Sequence, residues 1–106
     1  MIRISELSLS PYCNEREGLE ALKKAAAKRL GVSVQAISHL RMAKKSIDAR
    51  KKDRVHFLCA VEVEVENEAK VLARCRDGKI SASKPYEYRI PESRPLAQRP
   101  VVVGFG

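Results

Sequence analysis

Two stretches of this 106-residue sequence carry residue types and spacings that could do chemistry. The first is its last six residues, where Val101-Val102-Val103 runs directly into Gly104-Phe105-Gly106. A β-branched run of this kind suits a strand buried on both faces. A Gly-x-Gly at its end suits a tight strand-to-helix turn whose backbone approaches a pyrophosphate. The third glycine of such a turn, the following helix and the distal acidic residue do not fall within these residues. Two readings stay open on pattern alone: a last edge strand of the same domain, or the first strand of a new dinucleotide-binding unit. The second stretch is basic. Lys44, Lys45, Arg50, Lys51, Lys52 and Arg54 place six cations in eleven residues, opposed by Asp48 and Asp53. Such a loop could hold the phosphates of RNA or of a nucleotide, or an acidic protein surface. It could equally be a solvated hairpin in which Asp48 and Arg50 pair with each other.

The remaining chemistry-bearing residues form no catalytic constellation. His39 and His56 have no cysteine nearby and no metal-ligand spacing, so both read as solvated or salt-bridged. Cys13, Cys59 and Cys75 are odd in number and widely separated, which points to reduced thiols in a cytoplasmic protein. Cys13 precedes a helix, where a thiolate is favoured, but lacks a basic partner. No paired carboxylates, metal site or nucleophilic triad is evident. No apolar stretch approaches the roughly 20 residues of a membrane span, and residues 1–5 lack a signal-peptide layout.

These segments need a scaffold, and hydrophobic periodicity supplies one. Ile2 and Ile4, then Leu7 and Leu9, alternate with polar residues but change phase, which predicts a strand bulged or bent near Ser5-Glu6 and ended by Pro11. Asn14 and Glu17 have capping-box spacing. Leu19, Leu22, Ala26 and Leu30 then trace a helical stripe that Gly31 closes in a left-handed conformation. A turn through Ser33-Val34-Gln35 leads to a second strand from Ile37 to about Lys45. Val55, Phe57, Cys59, Val61, Val63 and Val65 alternate with His56, Glu62, Glu64 and Glu66 in a long third strand, one face buried and one wetter. The polar segment Ser46–Asp53 joins the two as a hairpin. If Leu40 and Met42 pair with Val61 and Cys59, these four face the helices, while His39 and Arg41 lie on the open face near Glu62 and Glu64. Asn67 is the expected cap of a short second helix carrying Ala69, Leu72, Ala73 and Cys75, ended by Gly78. A fourth strand follows at Ile80–Ser83 and could extend through Tyr86–Ile90 past Pro85.

The element order β-α-β-β-α-β predicts an α+β ferredoxin-like sandwich. Its antiparallel sheet takes the order 4-1-3-2, with both helices on one face. Residues 1–90 form this domain. Residues 91–100, with three prolines, form an extended linker, and residues 101–106 open the next unit. RNA-recognition domains share the fold and stack bases on sheet aromatics. Here the third strand offers His56, Leu58 and Ala60 instead, with glutamates beyond that repel a phosphate backbone.

Lys44-Lys45-Ser46-Ile47-Asp48-Ala49-Arg50-Lys51-Lys52, the valine-rich strand and Arg99–Gly106 together resemble the bacterial NAD(FAD)-utilising dehydrogenases, or FAD-dependent proteins. The resemblance spans essentially the whole chain. It implies a short N-terminal domain ahead of a flavin-binding domain, with Gly104 and Gly106 matching the first two glycines of the FAD turn. It also implies FAD, with NAD(P) as a second candidate, in the longer protein and no flavin on residues 1–106 alone. The function expected is that of an accessory domain that docks on, or helps close, the flavin domain through its basic loop or open sheet face. The alternative is a stand-alone basic module for nucleic acid or a small-molecule regulator, RRM-like or ACT-like. Net charge of +8 suits an anionic partner under either reading.

Overall fold

The phase change in the first strand proves to be the feature around which the sheet is built. The computed structural model describes residues 1–84, 87–104 and 106. Strand β1, Ile2–Leu9, pairs antiparallel with β3, His56–Val65. Ile2 and Ile4 stand opposite Val63 and Val61, and Leu7 and Leu9 opposite Cys59 and Phe57. Between them Ser5 and Glu6 together face only Ala60, a one-residue bulge that restores the phase. Ile2, Ile4, Leu7 and Leu9 are consequently all buried on one face. Glu6 takes φ +58°, a left-handed conformation that costs a residue with a side chain roughly 1–2 kcal/mol. The bulge is braced on three sides. Arg29 Nη1 donates to the carbonyls of Ser5 (2.7 Å) and Glu6 (3.3 Å), Ser5 N–H donates to the Lys79 carbonyl (2.9 Å), and Lys79 Nζ reaches Glu6 Oε1 (2.6 Å).

Helix α1, Glu15–Leu30, begins at the expected capping box: Glu17 N–H donates to Asn14 Oδ1 (2.9 Å) and Asn14 N–H donates to Glu17 Oε2 (3.1 Å). It ends at Gly31 in the left-handed region, φ 67° and ψ 35°. Its buried face differs from the expected stripe. Gly18, Leu22, Ala26, Ala27 and Leu30 pack inward, and Leu19 stays 38% exposed. A Cβ at position 18 would lie 3.4 Å from Leu9 Cδ2 and 3.5 Å from Cys13 Sγ. These are ordinary contact distances, so Gly18 sits directly against Leu9 and Cys13 on the buried face, and Leu19 beside it points outward.

A single 3-10 turn, Val34–Ala36, capped by Ser33, leads into strand β2, Ile37–Asp48, three residues longer than expected. The β2–β3 register also departs from expectation. Leu40 pairs with Val63 and Met42 with Val61, a slide of two residues, and Lys45 rather than Met42 stands opposite Cys59. Arg41 opposite Glu62 and His39 opposite Glu64 fall on the open face as the alternation predicts. A second bulge lies between Met42 and Lys44.

Helix α2, Glu68–Arg74, is seven residues long and buries Val71, with Leu72 and Cys75 packed at its margin. Asn67 does not cap it through its side chain; it sits in the left-handed region, φ 57° and ψ 46°, which Asn tolerates better than most residues. The helix stops at Arg74, with extended Cys75 as its C-cap, so Gly78 does not end it. Strand β4, Ile80–Ala82, is short, and Ser83 N–H adds one bond to the Met1 carbonyl (2.8 Å). Pro85 and Tyr86 lie outside the described residues, and 87–90 form no strand. The sheet order is β2-β3-β1-β4, the predicted 4-1-3-2 read from the other edge, and the fold is the α+β sandwich expected from the element order.

The bulge yields a paired prediction. Deleting Glu6 turns Leu7 and Leu9 to the open face and removes about 3–6 kcal/mol of burial. Glu6→Gly keeps the extra residue, relieves the left-handed strain and loses only a half-exposed ion pair. Urea denaturation is expected to show a large loss for the deletion and an equal or higher midpoint for the glycine variant. Similar stabilities for the two would show that the fold does not need the bulge.

Candidate functional site

The end of the β2–β3 hairpin carries the densest arrangement of charged side chains. Because β2 is bulged after Met42, the residues beyond it change face. Lys44, Ser46 and Asp48 join the open face opposite Ala60, Leu58 and His56, while Lys45 and Ile47 turn to the helix side opposite Cys59 and Phe57. Asp48 is buried at 9% exposure although it sits at the strand end. Its Oδ1 accepts from Arg50 N–H (3.2 Å) and Nε (3.0 Å), and its Oδ2 from Arg50 Nη2 (2.7 Å). These bonds hold the Asp48 carboxyl down at about 2 and raise the Arg50 guanidinium above its ordinary value. His56 closes the same corner. Its Nδ1 lies 2.7 Å from the Arg54 carbonyl, which can only accept, so the proton is on Nδ1. Its Nε2 is 3.7 Å from Asp48 Oδ2.

Around this pair lies an open groove of about 1000 Å3, lined by Glu6, Ile47, Asp48, Ala49, Arg50, Lys51, Arg54, His56 and Leu58. The expected basic cluster is therefore divided. Arg50 and Lys51 line the groove with Arg54, Lys52 is exposed at the tip, and Lys44 is exposed further along the open face. Lys45 goes to the opposite side, with Nζ 4.1 Å from the Phe57 ring centroid. Sequence adjacency could not anticipate Glu6, which arrives from the β1 bulge, although the phase change in β1 was the signal for that bulge.

The open face has a second polar centre in Glu62, which is 5% exposed. Arg41 donates to its Oε2 through Nε (3.1 Å) and Nη2; Ser83 Oγ donates to Oε1 (2.7 Å), and Arg3 Nη1 lies 3.6 Å from Oε1. The Ser83 and Arg41 bonds lower its carboxyl below the ordinary range. Four chain segments meet at this carboxylate, which occupies the centre of the open face. Among the described residues no group of His, Cys, Asp and Glu could hold a metal ion.

On the helix side a smaller groove of about 400 Å3 runs between the start of α1 and β2–β3, with Leu9, Cys13, Gly18, Leu19, Met42 and Phe57 on its walls. Cys13 Sγ donates to the Ser10 carbonyl (3.0 Å) there, and Cys59 is buried beneath the sheet, where desolvation pushes its thiol up. Val101, Val102 and Val103 are 86%, 77% and 93% exposed and belong to no strand, so the edge-strand reading of the tail does not hold. Gly104 takes φ +88°, and Gly106 is exposed; Phe105 lies outside the described residues.

Residues 1–64, from β1 through all but the last residue of β3, match the family model described as Domain of unknown function (DUF8436). The chain belongs to that family. A protein of Clostridium beijerinckii (strain ATCC 51743 / NCIMB 8052), described as an uncharacterised protein, is 37% identical over 107 residues. That similarity covers 99% of this chain and 19% of the relative, so the chain spans about a fifth of the length of the protein it matches. Among the described residues no helix is long and apolar enough to cross a membrane.

The Asp48–Arg50 geometry sets a pH dependence. The folded carboxyl titrates below its ordinary value of 3.8, so ionised Asp48 favours the ordered hairpin above about pH 4, and this contribution is lost as pH falls towards 2. Carboxyl carbon shifts followed by NMR should place Asp48 near 2. The Arg50 Nε–H signal should broaden over the same range and be broad at all pH in Asp48→Asn. A midpoint for Asp48 near 4 would contradict the pairing.

Proposed function

We propose that this DUF8436 domain is the N-terminal accessory module of a longer, cytoplasmic FAD-dependent oxidoreductase. In this reading residues 91–100 tether it to a dinucleotide-binding unit that starts at Val101. The observation that carries the reading is the exposure of Val101–Val103. Three consecutive β-branched side chains suit a strand buried on both faces, and they lie outside this domain's sheet. The clostridial relative supports it as well, because its similarity continues over 99% of the chain, beyond the folded part and into this tail, in a protein about five times as long. The flavin class itself comes from the resemblance of the 44–52 and 99–106 segments to FAD-dependent proteins.

The domain's contact with that unit is the helix-side groove. The centre of the open face is taken up by the Glu62 network, whose polar groups are already paired with one another. The helix side instead leaves Leu19 exposed beside Met42 and Phe57, and Ile47 exposed on the strand next to Phe57. Apolar surface of this kind is what an interdomain contact removes from water.

The reading frame after the codon for Gly106 is the first test. A glycine at position 109 followed by an apolar helix supports the proposal, and a stop codon there overturns it. In the full-length protein, removal of residues 1–98 is expected to weaken flavin retention, lower turnover or reduce thermal stability. Leu19→Arg, at an exposed position that leaves the core intact, should reproduce part of the same loss. Unchanged flavin content, turnover and melting in both variants would exclude the docking role.

A further inference from the structure

We infer that the groove at the end of the β2–β3 hairpin is a binding site for a nucleoside phosphate, with Arg50 as its fixed anion anchor. The inference rests on the hairpin alone and is independent of the flavin reading. An exposed arginine is normally a poor anchor, because its side chain must be ordered when the anion arrives. Arg50 is already ordered. Its side chain is 85% exposed, yet Nε and Nη2 are held by a carboxylate that is only 9% exposed. Arg50 lines the groove, and among the described residues its Nη1 makes no hydrogen bond, which leaves those donors available to a ligand.

The charges around it favour an anion. Asp48 is matched by Arg50, and Glu6, on the far wall, is matched by Lys79 at 2.6 Å. Lys51, Lys52 and Arg54 then remain against Asp53, which lies 3.9 Å from Arg54 Nε. Lys51 and Arg54 line the groove with Arg50, so three cationic side chains share its wall, Arg50 held by Asp48 and Arg54 beside Asp53. The floor has a different character. Leu58 provides apolar surface, and the His56 ring is pinned beside it by the Arg54 carbonyl. A cationic rim over an apolar floor suits a phosphate attached to a flat, weakly polar body, as in a nucleotide.

The same geometry disfavours a nucleic-acid strand. A polynucleotide needs cations that continue along its backbone. Here Lys44 and Lys45 diverge to opposite faces across the β2 bulge, and the open face beyond the groove carries Glu64 and the closed Glu62 network. The cations form a patch and not a track.

The 106-residue chain can be titrated, by amide chemical shifts and calorimetry, with ADP, inorganic pyrophosphate and a single-stranded RNA decamer. Saturable ADP binding is expected, with shifts centred on residues 47–58 and weaker binding of pyrophosphate. Arg50→Gln should lower ADP affinity roughly ten-fold, the consequence of losing a charge-assisted contact. Asp48→Asn should lower it less while leaving the charge of Arg50 in place, and Lys24→Ala, on the exposed side of α1, should change nothing. The amide spectrum of each variant reports whether the fold is retained, and Arg50→Gln alters no core residue. Absence of saturable ADP binding at low salt overturns the site. Equal loss in Arg50→Gln and Lys24→Ala reduces it to unspecific charge attraction and also overturns it. Pyrophosphate binding as tightly as ADP removes the nucleoside from the assignment, and RNA binding more tightly than ADP refutes the small-ligand reading.

Discussion

The architecture depends on one extra residue in β1. A strand in the middle of a four-stranded sheet can keep four large aliphatic side chains on one face only if their spacing is even throughout. Here the spacing is two, then three, then two. The bulge at Ser5-Glu6 absorbs the odd step, and the left-handed backbone of Glu6 is what it costs. The bulge frees carbonyls from the ladder, and Arg29 of the last turn of α1 takes them. Arg29 Nε also lies 3.0 Å from Asp77 Oδ2, in the turn that leads to β4. Helix, bulge and final strand are thus joined through one guanidinium. Glu6 itself then forms part of the wall of the hairpin groove, so the device that completes the core also shapes the surface.

The second bulge, in β2, has the same mechanical effect with a different consequence. Without the step between Met42 and Lys44, Asp48 would share the face of Leu40 and Met42 and point under the helices, where an ionised carboxylate is costly. With it, Asp48 crosses to the open side, opposite His56, and Ile47 takes the helix side. The partial burial of Asp48 is tolerable because three N–H groups of Arg50 meet it. A basic run that is continuous in sequence therefore becomes two groups on opposite faces, one ordered by a carboxylate and one resting on Phe57.

The sequence made the sheet order, the β1 bulge, the α1 capping box and the faces of β3 legible, because each leaves a mark in hydrophobic phase or residue type. The β2 register was not legible. Ala43-Lys44-Lys45-Ser46 carries no apolar alternation, so nothing in it records the extra residue, and the pairing came out two residues from its expected place. The turn of α1 that exposes Leu19 was hidden for a related reason: periodicity weights the large residue, whereas the buried position is Gly18, which has no side chain to count. At the site, Asp48, Arg50 and Lys51 were visible as a charged run and their pairing as one of two options. Arg54 was part of the same run, Glu6 joins them only in three dimensions, and Arg29 and Asp77, which brace the bulge, carry no local signal at all.

The two faces of the sheet are finished to different degrees, and the difference follows from the lengths of the helices. At the centre of the open side Glu62 collects Arg3, Arg41 and Ser83, and a buried carboxylate with this many donors leaves little reason for another molecule to intrude there. On the other side α1 has sixteen residues and α2 seven, and α2 buries only Val71 in the core. A seven-residue helix spans about 10 Å, too little to cover the far ends of β2 and β3. Met42 and Phe57 are left half-covered and Ile47 almost bare, with Lys45 laid over the Phe57 ring as the nearest available lid. A small domain buries only about two-thirds of the surface its unfolded chain exposes, so apolar area left uncovered on one side weighs heavily in its stability.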